Sequence, residues 1–179
     1  MLKTIKMVAM ASVIAMAASN ASAAIVTNGS FESGLSGWIV NDAIGTTPGI
    51  GITTVTTDGV SPTTPYGDIV PSYDGTSAAY FVDDNAVQTL SQWVNLAANT
   101  EYTLSFALFG LQSGANNEFN FALTDSVNLF THFNITPSGD VPVGSWSTHS
   151  YTFSSWYGGN YLLNFSFVSG ATPAKDVLL

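Results

Sequence analysis

Sugar rings are held by flat aromatic faces beside uncharged hydrogen-bonding groups, and one stretch of this sequence carries both. In Ala86-Val-Gln-Thr-Leu-Ser-Gln-Trp-Val-Asn-Leu96, strand alternation places Leu90, Val94 and Leu96 on one face and Trp93 on the other with Ser91 and Asn95. The same pattern also fits an edge tryptophan that merely covers loop residues. Trp156 and Tyr157, just before Gly158-Gly159, belong to an expected loop at one end of the domain, and Tyr66 and Tyr73 are placed similarly. Asp83-Asp84 before Asn85 offers oxygens to a cation, although turns favour Asp and Asn without any ligand. Catalytic chemistry has little to work with. His132 and His149 are the two histidines, and His149 shares a face with Tyr151 and Phe153, as a structural histidine would. No Gly-x-Ser-x-Gly elbow, His-Glu-x-x-His pair or phosphate loop occurs. A glycosidase needs two carboxylates close in space rather than in sequence, and nothing pairs the acids here, so no enzyme is expected. Asn134-Ile-Thr136 fits a glycosylation acceptor and is read as chance.

The elements that must position these residues read as strands. Tyr102, Leu104, Phe106 and Leu108 share one face while Thr103, Ser105 and Ala107 share the other. Phe119, Phe121 and Leu123 repeat the pattern, as do Tyr151 with Phe153 and the row Tyr161, Leu163, Phe165 and Phe167. No sustained helical period follows the N-terminal segment. Apolar rows without helices must cover one another, so the expected fold is all-β, a two-sheet antiparallel sandwich of jelly-roll type. Turn signals at Asn28-Gly29, Ser33-Gly34, Asp58-Gly59, Asp74-Gly75, Ser138-Gly139-Asp140 and Gly158-Gly159 punctuate it. Gly45–Pro71, rich in Thr, Gly and Pro, reads as a long surface loop broken by one alternating piece, Ile50–Val55.

Lys3 and Lys6, the apolar run Met7–Ala18 and the small-residue site Ala21-Ser22-Ala23 follow the grammar of a secretory signal, expected as a helix cleaved after Ala23. The run is too short for a membrane span, which takes about 20 apolar residues, so none is expected in the mature chain. Cleavage removes two of the three basic residues and no acid, taking the formal charge from −9 to −11. Such a chain repels phosphate backbones, which excludes nucleic acid as a partner. Without cysteine, an exported chain relies on its core, with or without a bound metal. Residues 24–179 suffice for one domain.

Several phrases carry a resemblance: Ile25-Val-Thr-Asn-Gly-Ser-Phe-Glu32, Gly34-Leu-Ser-Gly-Trp38, Ser77-Ala-Ala-Tyr80, Leu90-Ser-Gln92, Tyr102-Thr-Leu-Ser-Phe106, Gly144-Ser-Trp146, Tyr151-Thr-Phe153 and Asp176-Val-Leu-Leu179. In order and spacing they resemble the carbohydrate-binding-module 4/9 type of galactose-binding-like jelly roll along nearly the whole mature chain. The chain also resembles small exported bacterial proteins of this fold that end in a Pro-Glu-Pro sorting tail, which is absent here. Members continue past the Asp-Val-Leu-Leu position into a last apolar strand, whereas this sequence ends at Leu179, so a truncated domain lacking that strand is expected. The resemblance implies an exported, non-catalytic module binding extracellular polysaccharide through Trp93, Asn95, Trp156 and Tyr157. It further implies Trp38 and Trp146 packed in the core, and a structural calcium held by Glu32 and Asn28, with Asp176 standing in for the late aspartate; the alternative for Glu32 is an acid that caps a turn beside the first strand. The alternative is a structural, matrix or adhesion protein of the cell envelope or biofilm.

Overall fold

A strand with one apolar face is stable only when a second sheet covers that face, and the aromatic rows of this chain meet in that way. The computed structural model describes residues 15–18, 25–42, 52–65, 67–81, 87–111, 118–125, 131–135, 142–168 and 177–179. Among these residues lie eleven strands: β1 (Ala15–Ala18), β2 (Ile39–Asp42), β3 (Thr53–Thr56), β4 (Ser77–Phe81), β5 (Val87–Leu96), β6 (Thr100–Gly110), β7 (Glu118–Asp125), β8 (Thr131–Ile135), β9 (Trp146–Ser155), β10 (Gly159–Val168) and β11 (Val177–Leu178). The five-stranded sheet runs β2-β5-β10-β7-β8. The six-stranded sheet runs β1-β6-β11-β4-β3, with β9 on the other side of β6. All pairings between strands are antiparallel.

Phe106 of one sheet meets Phe121 and Phe165 of the other edge-on, at ring separations of 5.5 and 5.2 Å. Phe81 meets Phe119 and Phe167 in the same manner. Trp38 joins this core against Phe31 and Phe165. Trp146 instead packs on a second, smaller core on the outer side of the six-stranded sheet, made by Val55, Val70, Ala78, Tyr80, Phe109 and Leu178.

Three expectations are corrected. The described part of the N-terminal segment, β1, is a strand rather than a helix. An isolated helical turn is unstable in water, whereas β6 offers an edge along Tyr102–Ser105 that β11, paired at Phe109 and Gly110, does not reach. The rest of residues 1–23 lies outside the described residues. The long Thr/Pro-rich segment is no bare surface loop over its described part. The end of its alternating piece, Thr53–Val55, lies in β3, and residues 57–65 and 67–71 fold over the second core: Val70 is fully buried, Pro62 bridges to Ile69, and Gly59 N donates to Val70 O. The apolar residues Tyr80, Phe109 and Leu178 point away from the main core and need that cover. Trp146 belongs to this second core, not the main one, because it stands on the outward row of β9.

His149 projects inward, stacked on Phe106 at 5.4 Å with Ser147 Oγ 3.1 Å from Nε2. Burial pushes its pKa below the ordinary 6.5, so the unfolded chain takes up this proton first as the pH falls. The stability contributed by neutral His149 is thus present above about pH 6.5 and lost as pH drops below it. The melting temperature is expected to fall between pH 7.5 and 5, and His149→Gln is expected to flatten that slope. An unchanged slope in the variant would refute the assignment.

Candidate functional site

The outer face of the five-stranded sheet is built by the residues left over when the inner row is filled. On β5, Leu90, Val94 and Leu96 point inward, so Thr89, Ser91, Trp93 and Asn95 point outward. On β10 the inward row is Tyr161, Leu163, Phe165 and Phe167, leaving Asn160, Leu162, Asn164 and Ser166 outside. On β7, Asn120, Ala122 and Thr124 face the same way. Register aligns Trp93 with Leu162 and Thr124, Ser91 with Asn164 and Ala122, and Asn95 with Asn160. Around Trp93 the described side chains of this face are uncharged. Two polar pairs on it are fixed by hydrogen bonds: Ser91 Oγ donates to Asn164 Oδ1 at 2.6 Å and Asn95 Nδ2 to Asn160 Oδ1 at 3.0 Å. Trp93 stands 51% exposed among them, a flat apolar surface ringed by fixed hydrogen-bonding groups.

Trp156 and Tyr157 occupy the turn joining β9 to β10 and are 72% and 67% exposed. Gly159 pairs with Leu96, so this turn adjoins the end of the sheet that carries Asn95 and Asn160. Tyr161 Oη donates to Tyr157 O at 2.8 Å and fixes the turn from within. The structure thus gathers Trp93, Asn95, Trp156 and Tyr157 at one end of one sheet. Asn160, Leu162 and Asn164 complete the surface and were missed in the sequence, although the even positions of the β10 alternation point to them. Tyr73 lies elsewhere, against Trp146 on the other sheet, with its hydroxyl 2.8 Å from Thr148 Oγ1.

Two of the residues read as metal ligands, Glu32 and Asn28, hold hydrogen bonds within the fold. Both oxygens of Glu32 accept hydrogen bonds: Oε1 from Thr76 N at 2.7 Å and Ser77 N at 2.8 Å, Oε2 from Thr76 Oγ1 at 2.9 Å. These donors, Thr76 N–H first, hold its carboxyl below the usual 4.5. Gly75 makes room for it, since a Cβ there would overlap Oε1. Asn28, at φ 51°, donates through Nδ2 to Gly34 O and Ser36 O and accepts from Ser33 N, organising the turns of residues 28–36. Among the described residues no three His, Cys, Asp or Glu side chains come together. Asp176, Asp83-Asp84, Tyr66 and the side chains of His132 and Asn134 lie outside the described residues.

Solved structures share this fold. A family 61 carbohydrate-binding module in complex with β-1,4-galactotriose matches with a TM-score of 0.59 at 18% identity, over 86% of this chain and 92% of that one. A CBM4 structure matches with a TM-score of 0.50 at 17% identity, over 85% and 93%. A Stig cyclase from Fischerella sp. TAU matches with a TM-score of 0.52 at 15% identity, over 80% and 85%. No family model and no curated protein matches the sequence. The chain has the jelly-roll sandwich of carbohydrate-binding modules, a fold that also serves cyclases.

Proposed function

We propose that the chain is an exported, non-catalytic domain spanning residues 24–179 that binds neutral extracellular polysaccharide on the outer face of the five-stranded sheet. The observation that carries this reading is Trp93, half exposed near one end of the sheet among uncharged amides and hydroxyls. Trp93 supplies the stacking platform for a sugar ring, Asn95 and Asn160 address its hydroxyls, and Trp156 with Tyr157 lengthens the surface past the end of the sheet. The acidic charge of the chain selects against glycans bearing carboxylates or sulfates.

Affinity electrophoresis through neutral polysaccharides, β-1,4-galactan among them, tests the reading. Retardation is expected, and Trp93→Ala is expected to weaken it about tenfold or more while leaving the melting temperature unchanged. No retardation by any polysaccharide, with calcium present, would sink the proposal. The structural calcium belongs to the same proposal. Its support is the lone pair that Glu32 Oε2 still has free beside the turns of residues 28–36, and its mark in the same experiment would be a melting temperature lowered by chelator.

A further inference from the structure

The rim of the six-stranded sheet carries features that sugar binding leaves unused. β9 is ten residues long, pairs with β6 from Trp146↔Phe109 to Ser155↔Thr100 without a register shift, and has no other strand partner among the described residues. Every second residue therefore aims its N–H and C=O at the free side. Soluble proteins blunt such an edge with lysine, proline, a bulge or brevity. The strand Trp-Ser-Thr-His-Ser-Tyr-Thr-Phe-Ser-Ser has none of these, and none of the chain's 12 acids lies on it.

The middle of its outward row reads the same in both directions, Thr148, Ser150, Thr152, with Trp146 and Ser154 at the two ends. Against β6 this row already makes like-with-like hydroxyl pairs, Ser105 with Ser150 at 3.0 Å and Thr103 with Thr152 at 3.1 Å. A second copy laid antiparallel along the edge, with Ser150 opposite its own equivalent, would set Thr148 opposite Thr152 and repeat both pairs on the new side. On the inward row the same register sets His149 opposite Tyr151, bringing half-buried rings together across the seam. Charge favours this line of approach. Two strongly acidic copies repel each other, but β9 is uncharged and the acid nearest to it in register, Glu101, sits opposite Ser154, towards the end of the strand and away from the two-fold axis.

We propose that the free edge of β9 is a homodimer interface, joining two copies antiparallel about Ser150 into one continuous sheet. The chain lacks cysteine, so Ser150→Cys introduces a single thiol per copy. Under mild oxidation two such thiols on the axis should form an intermolecular disulfide readily. Thr148→Cys should do so at least about tenfold more slowly, because its equivalents lie roughly 13 Å apart along the strands, beyond the reach of a disulfide. Ser150→Lys, which sets two ammonium groups face to face, should shift the dimer seen by sedimentation equilibrium to monomer, with the circular dichroism spectrum of the parent retained. Polysaccharide binding on the opposite sheet should be unaffected. A chain that stays monomeric at submillimolar concentration, equal cross-linking by the two cysteine variants, or a Ser150→Lys variant as dimeric as the parent would each overturn the proposal.

Discussion

Phe165→Ala is expected to cost about 3–5 kcal/mol of folding stability and to lower the melting temperature by roughly 10 °C. Phe165 is fully buried, and its ring touches those of Trp38, Phe106, Phe119 and Phe121. It therefore bridges both sheets and the N-terminal turns. Truncation loses the transfer energy of the ring and leaves a void whose walls are aromatic groups from three directions, none of which can close it without disturbing its own packing. Phe165→Leu retains most of the volume and should cost less than half as much. Chemical denaturation of both variants checks the ranking, and equal losses would show that the cavity is not the cause.

The second large effect comes from a polar residue. Gln92 is buried on the inward row of β5, where its Oε1 accepts from Thr27 N at 2.7 Å and its Nε2 donates to Thr27 O at 2.9 Å and Gly37 O at 3.0 Å. One side chain thus satisfies the backbone at both ends of the turns that lead into Trp38. Gln92→Leu fits the space but takes the partner from one N–H and two carbonyls, at an expected cost of about 1–3 kcal/mol. The loss should be local before it is global: amides of residues 27–38 should exchange faster, and Trp38 fluorescence should shift to the red. Unchanged exchange in that segment would refute the anchoring role.

The rows of β6, β7 and β10 were legible because period-two alternation of large aromatics has one sheet reading, and two such rows compel a sandwich. Trp93 was legible for the same reason, since its exposure follows from the burial of Leu90, Val94 and Leu96. Gln92 was not, because a glutamine on an apolar row is explained only by the backbone it meets, and Thr27 is 65 residues away. The second core was hidden likewise. Val55, Val70 and Phe109 are unremarkable until pairing brings β3, β4, β6 and β11 side by side. Glu32 was read as a possible turn-capping acid or metal ligand, and neither reading anticipated donors at Thr76 and Ser77.

That carboxylate has a consequence for what the chain can tolerate between its two ends. By holding Thr76, 44 residues further on, Glu32 closes a ring without a covalent bond. The entropy of closing a flexible ring grows only with the logarithm of its length, so even doubling the enclosed segment would cost about 0.6 kcal/mol. A cysteine-free domain built in this way can accept insertions inside the ring at small thermodynamic expense, whereas the one-atom addition of a methyl at Gly75 strikes the closure itself.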